Sequence, residues 1–170
     1  MDVAHVDVRG HGPRGFLAHR PEQVEALRRA ARGYADRTGH DYFEDVWSVH
    51  RALGLGVEAG RTRAFASIVP VKEREVWVIG RPGEDEAVLA PGIARVLAAY
   101  RALGVVAFNM AVYLPPLAPD GEDWRRFPPI ARLVDRGDPA NKTSDIGAME
   151  LYAASVIASD PFRVADALGR

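Results

Sequence analysis

The sequence predicts an α+β fold, an antiparallel sheet covered by helices, and three observations carry that expectation. Apolar residues recur at helical spacing in several stretches, short β-prone runs alternate with them, and no proline- or serine-rich linker divides the chain. A chain of 170 residues with 48% hydrophobic content has ample material for one core. The expected organisation is a turn-rich lead-in over residues 1–19, with at most a short strand, followed by a single domain over 20–170.

The elements follow in order. From Pro21, Val24, Leu27, Ala31 and Tyr34 form an apolar stripe, Arg28, Arg29 and Arg32 fill the other face, and Gly39 closes the helix. A second helix is expected from Tyr42 to Leu53, with Phe43, Val46, Trp47 and His50 on one stripe and Gly54 and Gly56 as its stop. Ala64 to Val69 and Val76 to Ile79 read as an antiparallel pair around a charged connection. Pro91 starts a helix whose stripe is Ile93, Val96, Leu97, Tyr100 and Leu103. Strands are expected over Val105 to Tyr113 and Ile130 to Val134, joined by a long proline-containing loop. Asn141 to Ser144 reads as a cap for a helix with Ile146, Met149, Ala153 and Val156 inward, and Asp160-Pro161 opens a last helix ending at Gly169.

Composition narrows the function classes. There are 22 Lys+Arg against 23 Asp+Glu and no cysteine, so thiolate chemistry, disulfides and cysteine-based metal sites are excluded. Balanced charge argues against a broad nucleic-acid surface. The start lacks a signal-peptide pattern and no apolar run approaches the ~20 residues of a bilayer span, so a cytoplasmic protein with neither nucleic acid nor membrane as partner is expected.

Two stretches resemble a known family. Phe65-Ala66-Ser67-Ile68-Val69-Pro70 to Val76-Trp77-Val78-Ile79, then a helix, then Gly104-Val105-Val106-Ala107-Phe108-Asn109-Met110, is similar to one half of a galactose-1-phosphate uridylyltransferase, of the histidine-triad superfamily. Phe127-Pro128-Pro129-Ile130-Ala131-Arg132, followed by Met149-Glu150-Leu151, resembles that family's closing segment. The resemblance covers roughly residues 20–170 and only the C-terminal half of such an enzyme. It implies a histidine-triad-like half, and with it a degenerate or half-length relative that binds a sugar phosphate or nucleotide sugar. It also implies a homodimer or a complementary catalytic half as partner.

The departures bear on chemistry. The family's His-Pro-His nucleophile has no counterpart, since no His-x-His occurs in the chain. Where the family has metal-binding histidines before the Pro-Pro strand, this chain has Asp123-Trp124-Arg125-Arg126, and a guanidinium has no lone pair for a metal. Neither metal nor cofactor is expected. Whether the chain is an enzyme stays open: alone it lacks a nucleophile, and completed by a partner chain it would be a nucleotidyltransferase. The alternative is a non-enzymatic dimerisation or partner-binding module.

The resemblance places Glu150 at a family glutamate that contacts hexose hydroxyls, although a glutamate beside an apolar stripe can equally pair with a surface arginine. Lys142 and Ser144 precede a helix N-terminus and would suit a phosphate, and ordinary capping accounts for the same residues. Asn109 interrupts an apolar strand, facing either a ligand or core partners. Arg125, Arg126 and Arg132 suit phosphate, with ion pairing to Glu122, Asp123 or Asp135 as the plainer expectation. His50 reads as a packed histidine, and His5, His11 and His19 have no spacing that converges on a metal.

Overall fold

A computed structural model describes residues 14–18, 21–118, 120–137 and 157–170 of the chain. Its strands are β1 (Arg14–Ala18), β2 (Gly56–Ala59), β3 (Thr62–Ala66), β4 (Val76–Ile79), β5 (Ala107–Tyr113) and β6 (Ile130–Asp135). Its helices are α1 (Pro21–Thr38), α2 (Tyr42–Ala52), α3 (Ala90–Ala102) and α4 (Pro161–Gly169), with a 3-10 turn over Glu86–Leu89 before α3. The predicted helix following Ser144 lies outside the described residues, as do Glu150, Lys142 and Ser144.

Local chemistry explains most boundaries. Asp41 caps α2 by accepting from the Phe43 and Glu44 N–H groups at 2.9 and 3.1 Å, and Asp160 caps α4 by accepting from Phe162 N–H at 2.9 Å. β3 ends at Ala66, short of the predicted Val69. Ser67 N–H still bonds the Glu75 carbonyl at 2.9 Å, but Ile68 N–H turns to His50 Nε2 at 3.2 Å, and the chain leaves the sheet.

The six strands form one sheet in the order β1-β5-β6-β4-β3-β2. All neighbours are antiparallel except β1 and β5, which run parallel with Arg14 opposite Ala107 and Ala18 opposite Ala111. The α+β architecture is therefore as the sequence predicts, with two strands more than the four it marks clearly. β2 was hidden because Gly54 and Gly56 read only as a stop. Gly56 in fact begins a strand lying against α2: a Cβ there would come within 2.6 Å of the Trp47 ring.

Strand alternation gives the sheet two different faces. One carries Ala64, Ala66, Val76, Val78, Phe108, Ala131 and Leu133, packed against Val96, Ala99 and Tyr100 of α3 and Val164, Ala165 and Leu168 of α4. Helix α3 lies very close to this face at Gly92, where an added Cβ would meet Val78 Cγ1 at 2.4 Å. The other face carries Phe65, Trp77, Ile79, Tyr113 and Ile130 against Phe43 and Trp47 of α2 and Val24 of α1. Arg28 departs from expectation here. It is 5% exposed, because its stem shares the side of α1 that bears Val24, while Glu25, Glu122 and the Trp124 ring receive its head.

Candidate functional site around Arg132

On the α1/α2 side, α2 packs on β2 and β3 and α1 packs on α2, and beside them lies the half of the face formed by β4, β5 and β6, where Tyr113 and Ile130 join the same buried cluster. That half of the face carries a charged cluster. The β4–β6 register sets Trp77 opposite Arg132, and the β5–β6 register sets Ala111 opposite Arg132 and Asn109 opposite Val134. Glu75 lies two residues before Trp77 and so shares its side of the strand.

Glu75 is 2% exposed and its carboxylate is fully engaged. Oε1 accepts from Trp77 Nε1 at 2.8 Å and from Arg132 Nε at 2.8 Å, with a second bond from an Arg132 terminal nitrogen, and Oε2 accepts from Val71 N–H at 2.7 Å. Burying a carboxylate is costly unless it is paired and hydrogen-bonded, and here both conditions are met. Arg132 also lies over two rings, its guanidinium carbon 4.4 Å from the Trp77 ring centre and 5.8 Å from that of Tyr113. Its remaining nitrogen reaches the Tyr113 hydroxyl at only 3.5 Å, so that edge retains donor capacity.

The expected partners of the arginines are thus corrected. Arg132 pairs with Glu75, while Glu122 is taken by Arg28, Asp123 by Arg125 and Asp135 by Arg74. Only the Arg125–Asp123 pair matches. That contact holds the Asp123 carboxyl far below the usual carboxylate range. Asn109 is half-buried, on the same side as Arg132 and diagonal to it, and its side chain makes no hydrogen bond among the described residues.

The described histidines are both accounted for. His50 is 6% exposed. Its Nδ1 bonds the Val46 carbonyl at 2.7 Å and its Nε2 accepts from Ile68 N–H, which fixes one neutral tautomer and leaves no nitrogen for attack. His40 sits beside Asp45 at 3.1 Å on the surface. Among the described residues, no three His, Asp or Glu side chains gather as a metal-binding group, and no helix is long and apolar enough to cross a membrane.

What this arrangement offers is recognition. A pre-oriented guanidinium with a partly unsaturated edge suits a phosphate oxygen, the two rings offer flat contact, and the Asn109 amide both donates and accepts, as hydroxyls require. Sequence reasoning missed Glu75 because Lys72-Glu73-Arg74-Glu75 looks like a solvated turn. The available signal was that Glu75 and Trp77 share one strand side, as the alternation of Arg132 with Ala131 and Leu133 puts Arg132 on one.

No protein-family model matches the chain, and no curated protein matches it in sequence. Solved structures do. A uridylyltransferase matches 88% of this chain and 50% of its own, at 15% identity and a TM-score of 0.67. A mutant uridylyltransferase matches 88% and 51%, at 14% identity and 0.68. The chain has the fold of half a uridylyltransferase. An ADP-glucose phosphorylase from Arabidopsis thaliana, solved with ADP-glucose bound, matches 88% of this chain and 49% of its own, at 13% identity and 0.60. The chain therefore spans about half the length of each uridylyltransferase-fold structure it matches.

Proposed function

We propose that this protein is a degenerate or half-length member of the galactose-1-phosphate uridylyltransferase-like group, corresponding to the C-terminal half. In this reading it binds a sugar phosphate or nucleotide sugar without a nucleophile of its own. The observation that carries the reading is Arg132: a guanidinium already paired with Glu75, with donor capacity remaining, beside Asn109 on the same side of the sheet. The fold supports the ligand class, since a neighbour of this fold was solved holding a nucleotide sugar. Glu150, Lys142 and Ser144 belong to the proposal as hexose and phosphate contacts. Covalent nucleotidyl transfer would need a histidine at the α-phosphate, to be supplied by a complementary half.

Calorimetric titration with UDP, UDP-glucose and galactose 1-phosphate tests this. Saturable binding is expected, weakened about tenfold by Asn109→Ala or by Arg132→Lys, which keeps the charge but loses the planar fork. Glu150→Gln should lower affinity for the sugar ligands and not for UDP. Incubation with UDP-glucose should leave the mass unchanged, and an adduct of one uridylyl group would overturn the missing nucleophile. Binding of none of the three ligands would sink the reading.

A second reading, a partner-binding module, draws on an exposed apolar group beside α2. Val49, Leu53, Ile68, Val69 and Val71 are all exposed, Val69 at 79%. Light scattering after size exclusion separates the readings: an oligomer broken by Val69→Asp, with no ligand binding, favours this one.

A further inference from the structure

A second candidate site lies between α1, the start of α2 and the loop ahead of β6, and it shares no residue with the Arg132 cluster. It is a cleft of about 360 Å³, within the roughly 300–1,000 Å³ of small-molecule sites. Three aromatic residues line it, Tyr42, Phe43 and Phe127, with Phe43 and Phe127 edge to face at 5.5 Å. Four arginines, Arg28, Arg32, Arg125 and Arg126, stand around them.

The charges there are unevenly matched. Asp123 is occupied by Arg125, which donates from Nε at 3.0 Å and from a terminal nitrogen at 2.8 Å. Asp41 is occupied in capping α2. Asp36, exposed, is the remaining lining carboxylate. Against it, Arg32 and Arg126 make no hydrogen bond or ion pair among the described residues, although Arg32 is near enough to Asp123 to help lower its pKa.

Arg28 also lines the cleft. Its Nε and one terminal nitrogen bond Glu25, each at 2.8 Å, and that terminal nitrogen also bonds Glu122 at 2.7 Å. Hydrogen bonding to Glu25, opposed by burial, raises its pKa above the already high guanidinium value. Yet its other terminal nitrogen, NH1, is fully buried and has no hydrogen-bond partner. A buried charged donor without an acceptor is uncommon and costly.

We propose that this cleft binds a small anion carrying a flat ring, its oxyanion held by Arg32 and Arg126 and its ring set against the Tyr42, Phe43 and Phe127 wall. Phosphate and carboxylate present the same oxyanion chemistry to a guanidinium fork, so the probes are phenyl phosphate and 4-hydroxybenzoate, with inorganic phosphate and benzyl alcohol as references. In calorimetric titration of the full chain, at least one aryl anion should bind saturably. Inorganic phosphate should bind at least about tenfold more weakly, and benzyl alcohol should not bind. Arg32→Ala and Arg126→Ala, both at exposed positions, should each weaken binding about fivefold and together abolish it, with unchanged thermal unfolding. Arg132→Lys should leave this binding untouched, which keeps the outcome separate from that of the Arg132 site. No saturable binding of either aryl anion, or equal binding by the double variant, overturns the proposal. So does an affinity that follows Arg132.

Discussion

Arg132 and Leu133 are neighbours on β6 and lie on opposite faces of the sheet. Leu133 is fully buried in a mainly apolar layer closed by α3 and α4, where the fold gains chiefly by exclusion of water. Arg132 lies among Trp77, Tyr113 and a buried glutamate. A leucine on that side would pack as well and would require no buried carboxylate. The first face is built mainly from apolar side chains, with the buried Asp135 paired to Arg74 at its end, and the second carries the buried Glu75–Arg132 pair among aromatic rings.

The sharpest way to break this contrast is Glu75→Ala. It strips Arg132, the Trp77 indole and Val71 N–H of their shared acceptor, and should cost about 3–5 kcal/mol in urea unfolding. The double change Glu75→Leu with Arg132→Met should recover more than half of that loss while ligand binding stays absent. A double variant as unstable as the single one would mean that the charged cluster is structural. Leu133→Ala should cost about 3 kcal/mol by opening a cavity on the aliphatic face, and the ligand affinity of the folded fraction should not move. Gly92→Ala comes next, at about 1–3 kcal/mol, because the new methyl would meet Val78 and Thr62 at less than contact distance; thermal unfolding reads it.

The smallest effect concerns how the last segment is tied down. Glu73 accepts from the Ala158 and Ser159 N–H groups at 2.6 and 2.8 Å. Burial pushes its pKa up, but hydrogen bonds from the Ser159 hydroxyl and these two N–H groups outweigh that, so the folded value lies below the ordinary one. A depressed folded pKa stabilises above the ordinary glutamate range, and the contribution disappears as pH falls through the lower folded value. Glu73→Gln should therefore lower the unfolding midpoint near neutral pH by under about 1 kcal/mol equivalent. The difference from the parent chain should vanish in acid.

The parts legible in the sequence were those written in local periodicity. Helices α1, α2, α3 and α4 and strands β4, β5 and β6 carry their stripes and stops within a few residues, so they could be placed without the fold. β2 escaped because Gly56 answers to Trp47, a side chain on another element. The site escaped for the same reason at longer range. Arg132 and Glu75 are 57 residues apart, and only the β4–β6 register brings them together. Asn109 was visible as an interruption in an apolar run, but its nearness to Arg132 depends on the β5–β6 register. The resemblance of the Phe65 and Phe127 stretches to the uridylyltransferases pointed to the right fold at identities where residue-by-residue transfer of function has no support.

One feature of the sheet bears on assembly in time. β1 comes first in the chain yet pairs, in parallel, with β5, a partner made after α1, α2, three strands and α3. Zipping neighbours together cannot produce that contact, and the entropy of bringing such distant partners together weighs against its early formation. β1 is thus expected to dock after the strands that follow it. Until it does, the backbone groups along one side of β5 stand bare to any other extended segment in the cell, an interval in which a nascent copy is open to mispairing.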